Sequence, residues 1–468
     1  MPTREHDDKP EDVSSFVRVS GFGLRHAAAL DGGHSERSDV ILAPIGSAGD
    51  VLPFVWLGRV LRERGHRVTL ITAVVFEDVV RATGLDFVGL GSEEGFDEVL
   101  RNPDVWHGWR GPEIIFRHLG ESTQLLYDAI GRTVTPGRST LLVAPGTAFG
   151  ARLAREKLGL PLISVQLQPV CYLSMYETPQ LSPPLGWVSR MPRWFKRILF
   201  RLPNPMDRGA GPGVRAACAA EGIAPPRRLY SDWFHSPDGD LALFPDWFAA
   251  PQPDWPTNLF QHSFPLEDLA TEQAIPPALA QFLSTGTKPI LFTAGSAMRH
   301  SAEFFDAAIR ACVASGRRGI FATRYPDQLP AELPPDGCSV DYAPFGRVLP
   351  HCAAIVHHGG IGTTSQALAA GVPQVVMPMA HDQPDNAARV ERLGVGRTLL
   401  PPMLNAVSLA SALQDLVDDP AVAHRAHELA DRLRLDRGTE RLLQWMTARS
   451  LMTKGAAGTA IASKHRKI

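Results

Sequence analysis

Apolar residues along this chain switch repeatedly between two periods. "DVILAPIG" (Asp39 to Gly46) is a short unbroken apolar run closed by glycine, the mark of a buried strand. "DVLPFVWLGRVLRERG" (Asp50 to Gly65) then sets apolar residues at helical spacing and stops at glycine. "HRVTLITA" (His66 to Ala73) reads as the next strand. The same order returns in "STLLVAP", "GARLAREKLG" and "PLISVQ". Strand, helix and strand in succession predict a parallel sheet with helices on both faces.

A second series of this kind starts at "KPILFTAGS". It continues through "AEFFDAAIRACVASG", "RGIFAT", "CSVDYAP", "AAIVHHGG" and "PQVVMPM". Between the series lies "FPDWFAAPQPDWP", whose prolines and tryptophans suggest a stiff interdomain connector. A chain of 468 residues also exceeds one ordinary core. The expected fold is therefore α/β, with two doubly wound Rossmann-like domains and a cleft between the carboxyl ends of both sheets, where such sheets bind ligands. The expected divisions are a non-periodic extension over 1–37, one domain over 38–252, a second over 253–450, and a flexible tail over 451–468.

Composition mainly excludes. A formal net charge of −2 leaves no field that would draw the chain to nucleic acid. No apolar run approaches the ~18 residues of a membrane span. The start, "REHDDKPED", has no apolar signal core, so a cytoplasmic location is expected. Cys171, Cys218, Cys312, Cys338 and Cys352 never fall in a CxxC spacing and read as reduced structural thiols. "DGD" (Asp238 to Asp240) imitates a metal motif but sits where turn residues belong.

The stretch with candidate chemistry is "HHGGIGTTSQALAAGVP" (His357 to Pro373), a glycine turn between a strand and an alanine-rich helix. Glycine there can serve only a tight turn. It can equally let a ligand approach the free N–H groups of a helix N-terminus, a ready anion site. The turn lacks the lysine of a P-loop. It also lacks the acid at the end of the next strand that a dinucleotide fold uses. A nucleotide diphosphate-sugar remains. Asp382 and Gln383 follow the next strand, and a carboxylate beside an amide suits adjacent sugar hydroxyls.

His358-Gly-Gly, Gly371-Val-Pro373, Pro378, Asp382-Gln383-Pro and Asn386-Ala stand in fixed order. This series resembles the donor-binding signature of the UDP-glycosyltransferase superfamily (glycosyltransferase family 1, GT-B fold). The resemblance implies diphosphate contacts from His358, Gly360, Gly362, Thr363 and Ser296, the last in "FTAGSA". It implies base stacking on Tyr342 with backbone groups from Ala343, and donor-sugar contacts from Asp382 and Gln383. Tyr342 can also be a core aromatic and Ser296 a helix N-cap. Plant members carry Glu at the position of Gln366, where it grips both ribose hydroxyls. An amide there suits a deoxyribose and points to a dTDP-sugar. Asp50, in "PIGSAGDVLPF", falls where the family keeps its catalytic base; Asp also favours the N-cap of a helix. The resemblance implies no metal and no other cofactor.

From about Val40 to about Asp419, segments such as "APIGSAGDVLPF" and "SDWFHSPDGDLALFPDWFAAPQPDWP" are similar to the bacterial rhamnosyltransferases that form rhamnolipids. That similarity implies inverting transfer of L-rhamnose from dTDP-L-rhamnose to an amphiphilic hydroxyacyl acceptor, a 3-(3-hydroxyalkanoyloxy)alkanoic acid. It leaves room for a partner protein that makes the acceptor. Sterol, macrolide or flavonoid acceptors, and an epimerase or a non-catalytic nucleotide-sugar sensor, remain alternatives. Last, "PRWFKRILFRLP" (Pro192 to Pro203) reads as a basic amphipathic helix. Trp194, Phe195, Ile198, Leu199 and Leu202 fall on one side, with Arg193, Lys196, Arg197 and Arg201 largely on the other. Such a helix suits either a packed surface or weak peripheral contact with the inner membrane face.

Overall fold

A computed structural model describes residues 38–449, apart from 108–109, 182, 267–274, 296–297 and 300. The expected extension over 1–37 and the tail over 451–468 lie outside the described residues, as does Ser296.

The first sheet contains β1 (Asp39–Leu42), β2 (Arg67–Ala73), β3 (Asp86–Leu90), β4 (Thr140–Pro145), β5 (Leu162–Gln166), β6 (Asp240–Leu243) and β7 (Leu259–His262). The second contains β8 (Ile290–Thr293), β9 (Gly319–Ala322), β10 (Gly337–Val340), β11 (Ala354–His357), β12 (Gln374–Val376) and β13 (Gly396–Thr398). Their orders are β3-β2-β1-β4-β5-β6-β7 and β10-β9-β8-β11-β12-β13, and the pairs are parallel. Central strands such as β1 and β11 are buried along their length, while the edge strands β3 and β10 are half-exposed. Successive residues of β1 enter opposite cores: Val40 and Leu42 on one face, Ile41 and Ala43 on the other. This is the two-sided burial that continuous apolar runs predict. The expected pair of Rossmann-like domains is present.

Order reverses between β1 and β4 in the first sheet and between β8 and β11 in the second. These are the switch points where crossovers leave to opposite faces and the strand ends open a crevice. Asp50 lies in the first turn of the helix that follows β1, and His358 in the turn after β11, so both candidate groups belong to switch points.

The domain boundary at residue 252 needs correction. β7 lies beyond it yet pairs with β6 in the first sheet. The proline- and tryptophan-rich stretch is no free spacer either: Phe248 and Trp255 are buried in the first core, and Trp255 stacks on Tyr172 at 4.4 Å. Helix 439–449 also returns to the first domain. Leu442, Leu443 and Met446 join its core, Trp445 packs on Phe260 at 5.3 Å, and Glu440 pairs with Arg64.

Candidate active site

Asp50 is positioned by the first loop. Helix Ala48–Glu63 begins at Ser47, with Asp50 in its first turn. Asp50 is therefore not the N-cap; it is the third helical residue, and it reaches back to accept from the Ser47 N–H at 2.8 Å and the Ser47 hydroxyl at 3.0 Å. Gly46 must stay bare for this. Its φ is +137°, and a Cβ there would lie 2.3 Å from an Asp50 carboxylate oxygen. Burial raises the carboxyl above its usual range, and the two bonds from Ser47 oppose that rise.

The two histidines after β11 have different duties. His357 is buried, its Nδ1 accepting from the Gly359 N–H at 3.1 Å. Its proton is thus on Nε2, which donates to Gln374 Oε1 at 2.9 Å. Burial pushes its pKa down to about 3, so it is a neutral structural residue. His358 is wedged between two glycines. A Cβ on Gly295 would lie 2.6 Å from its ring, and one on Gly360 2.5 Å. Burial lowers its pKa to about 4, and Nδ1 finds no hydrogen-bond partner among the described residues. A buried polar atom left unpaired costs about 1–3 kcal/mol, which a ligand would recover.

Helix Ile361–Ala370 starts at Gly360 with no side-chain cap. Thr364 and Ser365 turn their hydroxyls inward to the carbonyls of Gly360 and Gly362. Thr363 and Gln366 are half-buried, and Gly362 borders open space. The first helical N–H, that of Ile361, donates to Asp382. The helix N-terminus thus already holds one negative group.

Asp382 is the most perturbed acid here. Its pKa is pushed up to about 7, first by burial and then by Asp50 across the cleft; bonds from Asn386 and Ile361 pull the other way. The two carboxylates, one from each domain, are therefore close enough to repel each other. The Cys171 thiol is pushed up chiefly by burial and further by the charges of Asp382, Asp240 and Asp50. Asn386 was not singled out as a ligand from sequence, yet it is fully buried. It donates to the Gly359 carbonyl at 2.9 Å and to Asp382 at 2.7 Å, tying glycine turn to acid. Its place four residues after Asp382, one helical turn on, was the available signal.

Gln383 is buried, and its Oε1 accepts from the N–H groups of Met379 and Ala380 at 2.8 and 3.1 Å. Only its amide NH2 is left for a ligand. Tyr342 is 47% exposed beside buried Ala343. Before Asp382, His381 takes a left-handed φ of 60°, uncommon for a residue with a side chain. Its ring packs edge-on against Trp106 of the first domain at 5.7 Å and bonds to the Val105 backbone. Arg299 with Asp97 (3.5 Å) and Arg389 with Glu177 (3.2 Å) also bridge the domains. The "DGD" acids are engaged elsewhere: Asp238 takes a fork of two 2.7 Å bonds from Arg155, and Asp240 bonds Tyr172 and His235.

Comparison with known proteins shows the family and the fold. The model of the glycosyltransferase family 28 N-terminal domain matches residues 40–175, and that of the erythromycin biosynthesis protein CIII-like C-terminal domain matches residues 322–437. The chain is 30% identical over 419 residues to O-mycaminosyltylonolide 6-deoxyallosyltransferase of Streptomyces fradiae, covering 86% of this chain and 95% of that protein. It is 24% identical over 426 residues to sterol 3-beta-glucosyltransferase UGT80A2 of Arabidopsis thaliana, covering 85% of this chain and 63% of that protein. The solved glycotransferase of kitacinnamycin shares the fold, with a TM-score of 0.66 and 24% identity over 88% of this chain and 99% of that one. The chain belongs to the nucleotide-sugar glycosyltransferase superfamily of GT-B fold, and it is a glycosyltransferase.

Proposed function

We propose that the protein moves a 6-deoxyhexose from a dTDP-sugar to a hydroxyl of a hydrophobic acceptor, with inversion. The observation that carries this reading is the charge opposition between Asp50, from the first switch point, and Asp382, which accepts from the helix N-terminus at the second. Asp50 takes the acceptor hydroxyl proton. The freed oxygen attacks the anomeric carbon from the opposite side, and the bond from that carbon to the diphosphate oxygen breaks. The diphosphate leaves with the electron pair, and the helix N-terminus and His358 stabilise it. Asp382 and the Gln383 amide hold the sugar, Tyr342 and Ala343 receive the base, and Gln366 faces the deoxyribose. Ser296, Gly360, Gly362 and Thr363 complete the diphosphate cradle.

The relatives support a hydrophobic acceptor: one is a 6-deoxyallosyltransferase of a tylonolide and another a sterol glucosyltransferase. They favour a natural-product or sterol acceptor over an acyl chain. The narrower reading, L-rhamnose passed to a 3-(3-hydroxyalkanoyloxy)alkanoic acid, rests on the N-terminal sequence segments alone. The protein should be incubated with dTDP-L-rhamnose or UDP-glucose and with hydroxyacyl, sterol or macrolide acceptors, and products identified by mass spectrometry. Release of dTDP without any glycosylated acceptor would instead indicate an epimerase, and binding without turnover a sensor.

A further inference from the structure

Among the described residues, a group of exposed apolar side chains of the first domain gathers on helix Arg193–Leu199 and the segment before it. Trp194, Ile198 and Leu202 are 65%, 55% and 53% exposed, and Trp187 and Tyr176 are exposed beside them. Helix Arg193–Leu199 explains this pattern. Its inward side is fixed by Lys196, which is buried and donates to the Ser189 carbonyl at 2.8 Å and the Met175 carbonyl at 3.4 Å. That corrects the sequence reading, in which Lys196 belonged to the solvated basic face. With Lys196 inward, the positions at four-residue spacing, 194, 198 and 202, point outward. The turn continues through Leu202, whose N–H bonds the Leu199 carbonyl at 3.1 Å. Phe195, half-buried against Trp187 at 6.1 Å, steadies the element from the side.

A second stripe runs alongside the first. Arg193, Arg197 and Arg201 are exposed at the same four-residue spacing, and Arg190 precedes them. From Thr178 to Met206 the chain has no Asp or Glu at all, although its formal net charge is −2. Arg193 is held 4.0 Å over the Tyr176 ring, so one cation sits directly on the apolar patch. Protruding tryptophan and isoleucine with a rim of arginine suit an apolar layer capped by negative headgroups. A protein partner would need a shaped counter-surface, whereas this patch protrudes as one short helix.

We propose that this face, centred on Trp194 and Ile198, docks the protein on an anionic lipid surface. The step is independent of the acceptor's identity, so its failure is separable from failure of the transfer reading. The test is co-sedimentation of the full chain, without donor or acceptor, with vesicles of phosphatidylcholine alone or mixed equally with phosphatidylglycerol. Wild type should pellet with the mixed vesicles at low salt, not with the neutral ones, and should be released by high salt. The triple variant Arg193→Gln, Arg197→Gln, Arg201→Gln should bind on the order of 100-fold more weakly, about five-fold for each cation. Trp194→Gln with Ile198→Gln should also lose binding, and both variants should keep wild-type melting and transfer to a water-soluble acceptor. No pelleting of wild type, equal pelleting with neutral vesicles, or equal pelleting of wild type and the triple variant would each overturn the proposal. So would a lipid-free dimer that the Trp194→Gln, Ile198→Gln variant dissociates, since the face would then join two copies of this chain.

Discussion

Asp382→Asn should make the protein more stable and less active. Asp382 titrates at about 7 against an ordinary 3.8, because it is buried and because Asp50 faces it. At ~1.4 kcal/mol per pH unit, that gap bounds the cost of charging it in the folded protein at about 4 kcal/mol. Asparagine removes the charge but keeps an oxygen that can accept from Asn386 and Ile361. Reorganisation and the loss of those charge-assisted bonds should reduce the gain to about 1–2 kcal/mol. The sign follows from proton counts. Between pH ~4 and ~7 the unfolded chain has released the proton that folded Asp382 still holds, so raising pH there favours unfolding. The advantage of the variant should therefore grow through that window and level off above it. A gain of 1–2 kcal/mol corresponds to roughly 2–8 °C in Tm for a domain of this size. The assay is thermal unfolding of both proteins from pH 4.5 to 8.5. His357 and His358, whose pKa values burial lowers to about 3 and about 4, impose an opposite slope below pH ~6.5. That slope is common to both proteins, so the difference between their curves isolates Asp382. Parallel curves across the whole range would refute the account. In an Asp50→Asn background Asp382 loses one source of its raised pKa, and the window should shrink.

Asp50→Asn should lower transfer by roughly 10²–10⁴-fold while leaving donor affinity close to wild type, because the base acts on the acceptor proton; titration calorimetry with dTDP alongside initial rates checks this, and retention of more than about a tenth of the rate would move the base elsewhere. His358→Ala should weaken donor binding and transfer together, since it removes a donor from the leaving diphosphate; unchanged dTDP affinity and rate would take His358 out of the site. Gln366→Glu should shift preference toward UDP-sugars, because a carboxylate left with one ribose hydroxyl too few loses about 1–3 kcal/mol; competition between the two donors reads the ratio, and an unaltered ratio would show that Gln366 does not face the pentose.

Much of the fold was legible along the chain because its signals are local. Continuous apolar runs closed by glycine marked β1 and β11, and helical spacing marked Ala48–Glu63 and Ile361–Ala370. The family resemblance rested on short motifs of the same kind, and alternating strand and helix were enough for two doubly wound sheets. What escaped was whatever depends on residues distant in sequence. Nothing near Asp382 shows that Asp50 opposes it or that burial brings its pKa to about 7; both arise only when two switch points close on one cleft. Lys196 looked like a surface cation, yet the carbonyls of Ser189 and Met175 draw it inward and thereby turn Trp194 and Ile198 out. The stretch before β7 looked like a spacer because proline is a local signal, whereas its burial depends on Tyr172 and on a pairing with β6. Periodicity decides which side of an element is apolar. Desolvation, charge opposition and the partner of each buried polar atom are set by the neighbours that packing supplies.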